Sequence, residues 1–380
     1  MAYEEPVRRS APRTYRARGR LGRRTYRARR RLRPGIRRRA LGALLALILV
    51  AAPLVVVDRL LGGDGRPHAG QSQTLEAPPR TQMSAGEWPE RGQAAIVLGA
   101  GRPAANPEQE PAPIASLAKV MTAYLTLARF PLGAGDDGFT MTVTAAQAQA
   151  VAEEADEGQS VVAVRAGERL SERQLLEALL IPSGNNIARV LAVGVGGSEA
   201  GFVAEMNAEA RALGMGATTY TDPSGFDPGT VSTAADQLRV FRRAMRSPVF
   251  RQIVSMPSVT LPVAGTLTNF NPLLDAGFFG KTGSDSAAGG CLAFFTRVAV
   301  GGRRRTAVGV VMGQGEGSDT AGLLAAAGEA AEGLVAAAAA GSGGRDAAFR
   351  PRIENRIRAG YGPPPMLPNV TYGEPAKELR

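Results

Sequence analysis

The run QAAIVLGA at residues 93–100 is apolar and stops at a glycine, which predicts a short strand. From Ile114 to Phe130 apolar side chains occupy nearly every face of a helical wheel, the pattern of a buried central helix rather than a surface one. Alanine-rich helical sequence follows at 144–155. A capping box from Ser171 to Gln174 opens an amphipathic helix that Pro182 closes, and the PSGN at 182–185 forms the junction to the next helix. Further amphipathic helices are predicted over 199–213 and over STAADQLRVFRRAM, the latter with Ser232 as its N-cap.

From residue 258 the period shortens. SVTLPV, GFFGKTG, CLAFFTRVAV and TAVGVVMG read as strands separated by Gly, Ser and Arg turns, and an Ala-rich helix follows at about 320–340. A strand, many helices, an antiparallel meander and a closing helix predict an α+β domain over residues 93–340. In it a mostly antiparallel sheet packs against helices that form a helical lobe.

Charge changes the picture at the N-terminus. The chain has 380 residues and a net charge of +11, but residues 1–39 hold 16 Arg against Glu4 and Glu5, a local +14. Subtracting, residues 40–380 carry −3 (11 − 14), so the bulk of the chain is not basic and nucleic-acid binding is not expected. Residues 40–57, ALGALLALILVAAPLVVV, carry no charge and would reach about 27 Å as a helix, enough to cross a bilayer's hydrocarbon core. The reading is a disordered, cytoplasmic Arg-rich tail at 1–39 with RTYRAR repeated, then a retained transmembrane helix rather than a cleaved signal. A linker at 58–92 follows, and the domain is placed outside the cell membrane. Residues 341–380, rich in Pro, Arg and Gly, read as a disordered tail.

One Cys (Cys291) and one His (His68) remove whole classes of chemistry. No intrachain disulfide can form and no common zinc site can be assembled, so no metal or cofactor is expected. His68 lies in the linker, which leaves no histidine for a Ser-His-Asp triad or a Cys-His dyad in the domain. Cys291 reads as a small buried hydrophobe and Trp88 as a packing residue at the domain entrance.

Against 42 Arg the chain has only three Lys, at 119, 281 and 377. Arg holds its proton at any relevant pH, whereas a desolvated Lys can release it, so a position needing a base cannot take the Arg used elsewhere. Ser116 and Lys119 stand three apart on the predicted buried helix, a nucleophile beside the group that would take its proton. Ser183 and Asn185 sit at a helix junction, where a hydroxyl can relay a proton and an amide can hold a carbonyl. Lys281 and Thr282 in FGKTGS would present a fixed charge and a hydroxyl along an open sheet edge, and Gly283 would let a ligand backbone approach. Singly, each has a bland reading: a snorkelling lysine, an edge-strand charge, two caps. Together, in this order and on these element types, they are specific.

PIASLAKVMTAYLTL, LLIPSGNN, MNAEARALGMGATTYTDPSGFD, STAADQ and GKTGSDSAAGGC resemble the low-molecular-mass penicillin-binding D-alanyl-D-alanine carboxypeptidases, serine peptidases of family S11, over about residues 90–340. The resemblance implies a β-lactamase/transpeptidase-like fold and removal of the terminal D-Ala from peptidoglycan stem peptides, with β-lactams as acylating inhibitors. It implies Ser116 as the acylated nucleophile, Lys119 as its base, Ser183 as the proton relay and Asn185 as a substrate contact. Lys281 and Thr282 would bind the terminal carboxylate, and the N–H groups of Ser116 and Ser284 would form the oxyanion hole. The chain departs from the family at Asn186, often Asp there, in TDPSGF and in GSDSAAG, and the last forty residues offer no counterpart to the family's common C-terminal β-domain. Two rival expectations stand beside it. One is a class A-like β-lactamase, which would need a deacylating Glu in an E-x-x-L-N segment that is missing here; the other is a muropeptide-binding protein that has lost turnover.

Overall fold

The computed structural model describes residues 81–317 and 319–342. The Arg-rich tail, the 40–57 span, most of the 58–92 linker, His68 and nearly all of the 341–380 tail lie outside the described residues.

Five strands build the central sheet: β1 (Gln93–Leu98), β2 (Ala104–Ala105) and, after four short strands and a hairpin, β9 (Phe279–Asp285), β10 (Gly289–Val300) and β11 (Arg303–Gln314). The four short strands are β3 (Ala112–Pro113), β4 (Thr140–Thr142), β5 (Arg169–Ser171), which pairs with β4, and β6 (Val231–Ser232); β7 (Ser258–Leu261) and β8 (Gly265–Thr268) form the hairpin. The sheet order is β2-β1-β11-β10-β9, and its pairs are antiparallel. β9 is therefore an open edge, as an extended ligand would require.

The first helices are α1 (Ala118–Arg129), α2 (Ala145–Asp156), α3 (Glu172–Leu180) and α4 (Asn185–Gly196). They are followed by α5 (Glu199–Ala212), α6 (Ala234–Ala244), the short α7 (Pro248–Ile253) and α8 (Thr320–Gly341). One apolar core joins α1, α3, α4 and α6 to one face of the sheet through Ala95, Val97, Ala293 and Val310. A second lies on the opposite face, where Ile96, Leu292, Phe294 and Val311 meet Ala327, Leu334 and Val335 of α8.

The α+β architecture agrees with the expectation, and four details differ. α1 begins at Ala118 after a 3-10 turn, Ala115–Leu117, so the predicted helix of 114–130 is helical at its start in a tighter form. α6 is capped by Thr233, whose hydroxyl accepts from Asp236 N, while Ser232 is spent in β6. β7 pairs with β8 in a separate ribbon and adds nothing to the main sheet. Residues 81–92 pack on the sheet: Leu98 N donates to Thr81 Oγ1 at 3.2 Å, and Trp88 lies against the α8-side core.

Among the described residues α8 is the single unbroken helix long and apolar enough to cross a membrane, and its apolar residues pack against the sheet.

Candidate active site

The segment before the nucleophile is clamped at both ends. β3 pairs with β6, and Ile114 N donates to Thr230 O at 3.3 Å, so the chain enters the 3-10 turn already fixed. Ala115 then takes φ +44, a left-handed conformation unusual for a residue with a Cβ, costing on the order of 1 kcal/mol. The turn sets Ser116, half-buried, beside β9. A Cβ on Gly283 would stand 3.1 Å from Ile114 O and Ser116 N and 3.2 Å from Leu117 N. Any side chain at 283 would press on the nucleophile's own backbone.

Lys119 is fully buried on the next turn. Its Nζ lies 2.7 Å from Ser116 Oγ, 2.6 Å from Asn185 Oδ1 and 3.0 Å from the Ser224 carbonyl oxygen. Two of these partners are pure acceptors and the third is a hydroxyl. A neutral amine has two N–H donors and one lone pair, so with both donors on the acceptors its lone pair faces the Ser116 hydroxyl. Burial, with the Lys281 charge second, holds Lys119 well below the usual lysine range, opposed by the attraction of Asp222.

Ser183, at φ +65 on the junction before α4, and Asn185, the first residue of α4, are both buried. Lys281 Nζ donates to Ser183 Oγ at 2.9 Å and to Thr282 O at 2.7 Å. Lys281 has no exposed surface, and burial lowers it to about 7. It is therefore not the fixed, exposed charge expected of an edge-strand lysine: its head turns inward onto Ser183. Thr282 is 6% exposed and Ser284 half-buried on the same edge strand. Of the eight residues singled out, Ser116 and Asn185 meet at Lys119, Ser183 meets Lys281, and Lys281, Thr282, Gly283 and Ser284 share β9 beside the nucleophile.

The pattern missed the loop that closes this cluster. Asp222 Oδ2 accepts from Ser224 N, Ser224 Oγ, Gly225 N and Phe226 N, and Oδ1 accepts from Thr230 Oγ1. The loop so gathered turns the Ser224 carbonyl onto Lys119, and Pro223 O accepts from Thr122 of α1 at 2.6 Å. Gly225, at φ +82, lies against the Ala115 carbonyl with no room for a Cβ. The signal was present as an Asp-Pro-Ser-Gly turn, but turn chemistry alone does not name the lysine it faces.

Asn186 holds the Val162 backbone at both ends, accepting from its N–H at 3.0 Å and donating to its carbonyl at 2.8 Å. Cys291 is fully buried, and its thiol, pushed up to about 12 by burial, donates to Ala288 O. Among the described residues no group of three His, Cys, Asp or Glu stands together to hold a metal.

A desolvated serine–lysine pair between an antiparallel sheet and a helical lobe is an arrangement suited to acyl transfer through a serine nucleophile. The family model described as D-alanyl-D-alanine carboxypeptidase matches residues 102–315, and the chain belongs to that S11 family. It is 37% identical over 217 residues to D-alanyl-D-alanine carboxypeptidase DacB2 of Mycobacterium tuberculosis, covering 54% of this chain and 69% of that protein. It is 32% identical over 197 residues to a D-alanyl-D-alanine endopeptidase of Pseudomonas aeruginosa, covering 49% of this chain and 60% of the relative. The crystal structure of the Streptomyces K15 DD-transpeptidase superimposes with a TM-score of 0.57 at 24% identity, covering 67% of this chain and 99% of that one, a likeness of fold.

Proposed function

We propose that the protein is a membrane-anchored, serine-type D-alanyl-D-alanine carboxypeptidase that trims peptidoglycan stem peptides outside the cell membrane. The observation that carries this is the 2.7 Å contact between Ser116 Oγ and a buried Lys119 whose other partners are two acceptors.

Ser116 Oγ attacks the carbonyl carbon of the penultimate D-Ala while its proton passes to Lys119 Nζ. The Ser116 and Ser284 N–H groups take the developing oxyanion. Collapse breaks the peptide C–N bond. The Ser183 hydroxyl gives its proton to the leaving amine and is resupplied by Lys281, 2.9 Å away. Water then attacks the acyl-Ser116 carbonyl, its proton passing through Ser183 to Lys281; the ester C–O bond breaks as Ser116 Oγ takes back its proton from Lys119, and free enzyme returns. Asn185 and Thr282 contact the substrate, and the buried Lys281 attracts its terminal carboxylate through its field. Residues 40–57 hold the domain at the membrane, the side on which its substrate lies.

The β-lactamase reading needs a free carboxylate to activate water. Asp222, the carboxylate acting on Lys119, has both oxygens engaged by its own loop, which favours the peptidase.

The test is release of free D-alanine from a peptide ending in D-Ala-D-Ala by the full-length chain, with mass spectrometry of a penicillin adduct. Release that Ser116→Ala abolishes, with the adduct on the peptide containing residue 116, is expected. No release, or equal release from Ser116→Ala, overturns the reading.

A further inference from the structure

Behind the cluster runs a second row of polar side chains in which each hydrogen bond dictates the next. Glu157 is exposed at the end of α2, and its carboxylate only accepts, so it takes the NH2 end of the Gln159 amide, Nε2, at 2.7 Å. The Gln159 carbonyl oxygen must then face inward, where it accepts from Asn185 Nδ2 at 3.0 Å and from Arg189 at 3.3 Å. With its NH2 end so taken, Asn185 is left with its carbonyl toward Lys119. Arg189 is itself held by an ion pair to Glu154 of α2, and Gln159 N donates to Glu154 O at 3.0 Å. Gln159 is 7% exposed and lies on the loop after α2.

We propose that Gln159 is a positioning residue that fixes the polarity of the Asn185 amide, so that its carbonyl and not its NH2 group faces Lys119 Nζ. This rests on the peptidase reading for its consequence, but its geometry does not depend on it. Were Asn185 to rotate, its NH2 would donate to the Lys119 lone pair and occupy the site that receives the Ser116 proton. The lysine would also lose an acceptor that stabilises its charged form. The other charged groups facing Lys119 are Lys281 from β9 and Asp222 from the 222–226 loop, and those facing Gln159 are Glu157, Glu154 and Arg189.

Two substitutions push in opposite directions. Gln159→Met removes the acceptor and frees Asn185 to rotate. Gln159→Glu keeps an acceptor for Asn185 and Arg189 and adds negative charge. With three lysines in the chain, 13Cε-lysine labelling of the full-length protein gives three signals, assigned by Lys119→Arg and Lys281→Arg. The Lys119 titration midpoint is expected to move to lower pH in Gln159→Met and to higher pH in Gln159→Glu. The plateau rate of penicillin acylation should fall about tenfold in Gln159→Met, the worth of one hydrogen bond, and stay within about threefold in Gln159→Glu. Midpoints that match the parent, or that move the same way in both variants, overturn the proposal. If Gln159→Met does not fold, an unmoved midpoint in Gln159→Glu alone overturns it. Opposite shifts in a chain that penicillin does not acylate would sink the peptidase reading and leave the amide network standing.

Discussion

Along β1, Ala95 and Val97 look toward the helices that carry the serine–lysine pair, while Ala94, Ile96 and Leu98 look toward α8. The first face supports fully buried Lys119 and Lys281, buried Ser183, Asn185 and Gln159, and Ala115 and Ser183 at positive φ. The second is alanine, leucine, isoleucine, valine and phenylalanine, with Glu332 as the buried charge-bearing group on its helix. Desolvated lysines and strained backbone each cost stability, and here they sit where chemistry needs them. Unstrained apolar packing on the other face offsets that cost.

Four substitutions would break or sharpen this contrast. Lys119→Arg should lower the penicillin acylation rate roughly 10²–10⁴-fold across the pH range with little change in Tm, since arginine cannot become neutral. Phe294→Ala, on the α8 face, should do the reverse. Denaturant unfolding should show a loss of about 3–5 kcal/mol, with acylation per folded molecule unchanged, because the fully buried ring leaves a cavity on the sheet face opposite the serine. Gly283→Ala should slow acylation about 10- to 100-fold with a small change in Tm, as its methyl displaces the Ser116 backbone by tenths of an ångström. A Gly283→Ala protein with unchanged kinetics would show that the contact is not what positions the nucleophile.

The smallest effect belongs to Glu332, 5% exposed, with one oxygen unpartnered, and raised by burial to about 7. Its folded-state pKa lies above the unfolded value, so the folded state holds the proton better. The penalty is absent below about pH 4, grows as pH rises to about 7 and is constant beyond. Glu332→Gln should therefore stabilise by about 1–2 kcal/mol near pH 8 and by nothing near pH 4, measured by denaturant melts at both.

Much of this was legible in the chain. The rarity of lysine singled out Lys119 and Lys281, the S-x-x-K spacing put Ser116 on the face of Lys119, and the 3.6 and 2 periodicities marked helices and strands. What pattern missed lies between residues far apart in sequence. Asp222 reaches Lys119 across 103 positions through the Ser224 carbonyl, and Gln159 reaches it through Asn185. Neither Asp-Pro-Ser-Gly nor a lone glutamine in GQSVV carries a period or a partner that sequence alone can show. Strand position predicts Lys281 as a charge along an open sheet edge; only the Ser183 junction and the 3-10 turn brought against β9 account for its burial.

The sequence by itself determined which side chains could act, because ionisable groups, hydroxyls and helical spacing are local properties of residue type and order. Only the tertiary structure decided what those groups are. Proton affinity and amide polarity depend on the water removed and the dipoles turned inward when distant segments close around Lys119.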